Sequence, residues 1–143
     1  MLNIFFKYLK LNNYWKLTND FVESSHSYPN HPSIYAATDT LDLLGVENIV
    51  VKVEKEVNNE LPKTFIADII YDNKNQFVII ERKGDKKIDY YDDTLKSMSL
   101  NLLHFLEIWT SKMIAIEPNN NPHTTKTKVS FNNWGMLFIL ALF

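Results

Sequence analysis

Tyr28–Asn48 reads YPNHPSIYAATDTLDLLGVEN, and its local chemistry sets a helix between two boundaries. Pro29 and Pro32 keep Tyr28 and His31 out of the α region, so the chain runs extended as far as Ser33, a good N-cap. Ile34, Ala37, Leu41 and Leu44 then recur at spacings of three and four and form one apolar stripe, while Asp39 and Asp42 face water. Gly45 follows as an αL C-cap, and Val46, Ile49, Val50, Val51 and Val53 lead into a strand. The unit is helix, glycine turn, strand.

Upstream, Leu2, Ile4, Phe5, Phe6, Tyr8, Leu9 and Leu11 make a core helix with Lys7 and Lys10 on one side. Asn12 and Asn13 break it, and Tyr14 to Val22 form a second short helix capped by Thr18 or Asn19, with Ser24–Ser27 (SSHS) as a polar loop. Downstream, TFIADIIY (64–71) is a near-continuous apolar strand with Asp68 as its odd residue, which calls for a central place in a sheet. The DNKNQ and Gly84-Asp85 turns link it to FVIIERK and KKIDYYDD, two successive hairpins. Thr94–Trp109 reads as a helix through Leu95, Met98, Leu102, Phe105, Leu106 and Trp109, with His104 as a structural residue. Lys112–Glu117 reads as the closing strand before Pro118. Helices followed by a mainly antiparallel sheet define an α+β fold.

With 143 residues and 45% hydrophobic content, the chain holds one domain with a real core, placed at 1–118. The formal charge of −2 and the absence of a basic run argue against nucleic acid as a partner. No cysteine is present, which excludes disulfides, thiolate metal sites and a cysteine nucleophile. Residues 119–133 form a polar, proline-punctuated linker. WGMLFILALF (134–143) carries no charge and is either a short anchoring or packing segment or, the reading favoured here, the opening of a transmembrane segment that continues beyond Phe143. Lys126 and Lys128 just before it place the domain on the cytoplasmic side.

The order of LPKTFIADI (61–69), NQFVIIERK (75–83), IDYYDD (88–93) and FLEIWTSKMIAIEP (105–118) after the helix–turn–strand unit resembles the peptidase-like domain of bacteriocin-processing transporters, which cut after a double-glycine leader. The YPNHPSI text before TDTLDLLGVEN is similar to the version fused to vitamin K epoxide reductase-like membrane proteins. The resemblance spans residues 14–118 and implies a papain-like fold. It also implies a catalytic cysteine on the first core helix behind a glutamine, and this N-terminal segment has neither. The family's histidine position is Gln76, an amide that cannot take a proton as imidazole does. Asp92 matches the orienting aspartate, followed by Asp93 in place of the usual proline.

The resemblance therefore points to a catalytically inactive module of a membrane protein that holds a peptide or protein segment and needs no cofactor or metal. Tyr28, Tyr90, Tyr91 and Trp109 are the candidate contact residues, since aromatics anchor interfaces, with core packing as the alternative for each. Two other classes stay open. One is a hydrolase built on Ser24 or Ser25 with His26 or His31, or a metal site using those histidines and a carboxylate. The other is a purely structural assembly domain of a redox membrane protein.

Overall fold

The Ser33 cap and the Gly45 stop are both present in the computed structural model, which describes residues 2–28, 33–54, 61–119 and 138–140. Helix α3 (Ile34–Leu43) begins where the Ser33 hydroxyl accepts the Ala36 N–H at 3.1 Å. It ends in a Schellman arrangement: Gly45 has φ +77°, its N–H donates to the Asp42 carbonyl, and the Val46 N–H donates to the Leu41 carbonyl at 2.9 Å. Asp39 and Asp42 are exposed, and Ala37 and Leu41 are buried, as the stripe requires. The prolyl run 29–32, with His31, lies outside the described residues.

Helix α1 (Leu2–Leu11) ends on the same device without a glycine: Asn13 takes φ +67° and the Tyr14 N–H donates to the Leu9 carbonyl. Trp15–Leu17 then makes one 3₁₀ turn before α2 (Thr18–His26). The SSHS stretch thus supplies the last turn of α2 instead of the expected loop. Ser25 is buried there, its hydroxyl donating to the Val22 carbonyl, so the helix continued because the serine closed its own polar group locally.

The strands are β1 (Asn48–Val53), β2 (Thr64–Tyr71), β3 (Lys74–Arg82), β4 (Lys87–Tyr91), β5 (Ser97–Asn101), β6 (Trp109–Ile116) and β7 (Phe138–Leu140). They form one sheet in the order β5-β4-β3-β2-β6-β1-β7, with every pairing antiparallel. The expected meander is the run β2 to β4, which β5 extends by one strand. Strand β2 has the central place its apolar content called for. Asp72 and Asn73 close the β2–β3 hairpin at φ +54° and +60°, the left-handed pair a tight type I′ connection needs.

The helix expected over 94–109 is corrected: residues 97–101 are β5, and α4 is only Leu102–Ile108, capped by Asn101 Oδ1 accepting the His104 N–H at 2.7 Å. Met98 and Leu102 stand four apart, a spacing that fits one helical turn and equally two periods of a strand. Pairing with β4 (Tyr90 opposite Met98, Ile88 opposite Leu100) resolves it. The closing strand correspondingly starts at Trp109, three residues before the expected Lys112.

Leu41, Leu44, Ile66, Ile69, Val78, Ile80 and Ile114, all apolar, divide between two cores. Leu41, Ile66, Ile79 and Ile114, with Leu44 at the margin, pack under α1, α2 and α3 on one face of the sheet. Ile69, Val78 and Ile80 pack with Phe65, Phe105 and Trp109 against α4 on the other. Neighbouring residues of a strand point to opposite faces, so a sheet covered on both sides has two cores. Tyr8 fastens α1 to the sheet: its hydroxyl accepts the Ile116 N–H at 3.1 Å and donates to the Thr64 carbonyl at 3.2 Å.

Burial pushes the Tyr8 phenol above its ordinary range. The neutral form is therefore favoured by folding, and that contribution is complete below about pH 10 and lost as pH rises through the higher folded-state value. Tyr8→Phe is expected to cost about 1–3 kcal/mol at neutral pH, because it strands the Ile116 N–H. It should also flatten the alkaline loss of stability. Urea unfolding of both proteins at pH 7 and near pH 10 checks both parts; an unchanged neutral midpoint would refute the pinning role.

Candidate functional site

Alternation along β3 assigns its two sides. Val78 and Ile80 belong to the α4 face, and Ile79 with Phe77 belongs to the α1 face. Gln76, opposite Ile69 of the α4-side core, shares the face of Val78. Asp92 lies just past β4, and its Oδ1 accepts both the Thr94 N–H at 2.9 Å and the Thr94 hydroxyl at 2.5 Å. The Thr94 hydroxyl, with backbone N–H groups behind it, holds the Asp92 carboxyl below the usual range. This carboxylate closes its own turn, and Asp93 next to it is exposed.

Of the four candidate contact residues, two are core. Trp109 is 1% exposed, its ring 5.2 Å from Phe105 and 5.9 Å from Phe65, with Nε1 donating to the Lys112 carbonyl. Tyr90 is buried on the same α4 face, its hydroxyl 3.0 Å from Met98 Sδ. Both rings are enclosed by neighbours, so neither presents a surface to a ligand. Tyr28 is half-buried just after α2, and Tyr91 stands on the α1 face. The structure does not bring these four together.

Ser25 is sealed inside α2, and His104 is exposed on α4 with its N–H in the helix cap. No group of three His, Asp or Glu side chains is placed to hold a metal ion among the described residues. Asp68, the odd residue of β2, is buried opposite Phe77. Asn75 Nδ2 donates to its two oxygens at 3.3 and 3.4 Å, and the Thr110 hydroxyl donates at 3.0 Å. These donors are what allow a carboxyl in a central strand. Thr110 reaches it because the β2–β6 register shifts between Ala67 and Ile69, with Ser111 at φ +76°.

Beside Tyr91 and the Asp92 turn lies a groove of about 370 Å³ lined by Phe6, Lys7, Lys10, Leu11, Trp15 and Leu95. Lys7 Nζ sits 3.9 Å from the Tyr91 ring centroid, and Lys10 Nζ is 4.3 Å from Phe6 and 5.3 Å from Trp15. Trp15 is 61% exposed. The sequence reading placed Lys7 and Lys10 on one side of a core helix and missed this groove. The available signal was the polar break at Asn12-Asn13, which releases Trp15 from the α1 stripe.

An α+β domain with helices laid over one face of an antiparallel sheet has the architecture of papain-like peptidases. The Peptidase C39 family profile matches residues 30–121, more than half of the chain, and the chain belongs to that family. Among solved structures it is similar to the peptidase domain of Streptococcus ComA, a bi-functional ABC transporter involved in a quorum sensing pathway. The TM-score is 0.54 at 17% identity, over 71% of this chain and 78% of that one. The peptidase domain of Streptococcus mutans ComA gives 0.53 at 17% identity, over 70% and 86%. No curated protein sequence matches. At this identity the likeness establishes the papain-like fold.

Proposed function

We propose that this chain is a catalytically inactive C39 domain of a membrane protein, of the version fused to vitamin K epoxide reductase-like proteins, and that it holds a peptide or protein segment on the cytoplasmic side. The observation that carries the loss of chemistry is the residue content of the chain: no cysteine occurs in it, and the position that the resemblance gives to the histidine is Gln76, an amide that cannot act as the base. A thiolate and an imidazole in hydrogen-bond reach are what peptide cleavage by this route requires. Asp92 keeps its place but spends its carboxylate on Thr94. The groove beside it supports retained binding, being concave and mostly apolar with two cations on its wall.

The membrane part rests on the uncharged 134–143 run and on Lys126 and Lys128 before it. No helix among the described residues is long and apolar enough to cross a membrane. Phe138–Leu140 pairs with Val51–Val53 at the sheet edge. Insertion of this segment into a bilayer exchanges that short edge pairing for lipid, and the protein is expected to fractionate with membranes.

Purified protein should leave double-glycine leader peptides intact in a mass-spectrometric assay, and iodoacetamide should add no mass, since there is no thiol to alkylate. Cleavage that disappears on replacing Ser25 or His26 would overturn the inactive reading in favour of a serine or histidine mechanism.

A further inference from the structure

Residues 1–17 contain Lys7, Lys10 and Lys16 and no acidic residue, in a chain whose formal charge is −2, so the excess of acid lies elsewhere. Among the described residues, the ammonium groups of Lys7 and Lys10 have ring partners and no carboxylate partner. A cation seated on an aromatic face keeps its full charge while its stem is held down on the surface. The α1 wall of the groove is therefore positive, fixed in place and electrostatically unanswered. Between the lysines and the turn after β4, Leu11, Trp15 and Leu95 form an apolar lip, at 38%, 61% and 39% exposure. The turn itself carries Asp92 and Asp93.

We propose that this groove takes an acidic, apolar-anchored peptide segment. An aliphatic or aromatic side chain packs among Phe6, Leu11, Trp15 and Leu95, and a neighbouring Asp or Glu carboxylate lies over Lys7 and Lys10. This rests on the peptide-holding reading above and adds its charge selection. Charge and apolar lining together favour a peptide over an anionic lipid surface, because a peptide can place a carboxylate over Lys7 and Lys10 while a neighbouring apolar side chain enters the pocket. Concavity points the same way, since a side chain can enter a pocket that a flat bilayer would span. Five of the six lining residues precede residue 30, where the family match begins, so the charge pattern belongs to this chain's own N-terminal segment.

The test uses three fluorescein-labelled peptides with the same leucine spacing and Glu, Gln or Lys at the intervening positions, read by fluorescence anisotropy with the 143-residue protein. The Glu peptide should bind about tenfold or more tightly than the Gln peptide, and the Lys peptide least. Added salt should erode the difference. The Lys7→Gln/Lys10→Gln double variant should bind Glu and Gln peptides alike. A Lys63→Gln/Lys87→Gln control, with the same change in charge at exposed positions elsewhere, should keep the preference; circular dichroism verifies that each variant is folded.

Equal binding of Glu and Gln peptides, or a preference that survives in the Lys7/Lys10 variant, overturns the charge selection and leaves peptide holding intact. Binding of none of the three overturns both. Flotation with phosphatidylserine vesicles that depends on Lys7 and Lys10, without peptide binding, assigns the patch to a membrane and also overturns the proposal.

Discussion

Trp109→Ala is expected to cost about 3–5 kcal/mol in urea unfolding, the largest effect of any single substitution considered for this chain. The indole is 1% exposed and stands at the junction of α4 and β6. It stacks on Phe105 at an interplanar angle of 21° and tilts against Phe65. Its removal opens a cavity between α4 and the central strand, and it frees the Lys112 carbonyl that Nε1 now satisfies. Neighbours on a strand and a helix fixed from both ends cannot close that space fully. Peptide affinity measured on whatever fraction remains folded should be unchanged. A loss of stability under about 1 kcal/mol with a loss of binding would return Trp109 to the role of a contact residue.

Leu41→Ala is expected to cost about 2–5 kcal/mol. Leu41 is fully buried in the core beneath the N-terminal helices, and its carbonyl accepts the Val46 N–H that closes α3. Val46 is buried in the same cluster, so the side-chain contact and the backbone stop reinforce one another. The two cores lie on opposite faces of the sheet, so the Trp109 and Leu41 effects should be close to additive in the double variant, provided it still folds. A Leu41→Ala loss below about half a kcal/mol would mean that the helix presents another face to the sheet. Strong coupling between the two sites would mean that the sheet transmits strain from one core to the other.

What was legible in the sequence is what neighbouring residues decide among themselves. The bounds of α3 follow from Ser33 and Gly45, and a turn was legible in DNKNQ, although only Asp72-Asn73 form it and Lys74–Gln76 already belong to β3. The burial of β2 on both faces follows from its own run of apolar residues, and the missing thiol is a matter of composition. The partner choices were not legible. Met98 and Leu102 satisfy a helix and a strand alike until β4 is alongside. Trp15 and Trp109 are the same residue type in similarly mixed surroundings, yet one is 61% exposed and the other 1%. Alternation states which residues share a face, and only the arrival of α4 or of α1 states what covers it. The groove is the clearest case. Phe6, Lys7 and Trp15 meet Leu95 because α1 lies along the sheet under which β4 turns, a juxtaposition of distant segments that local propensity does not encode.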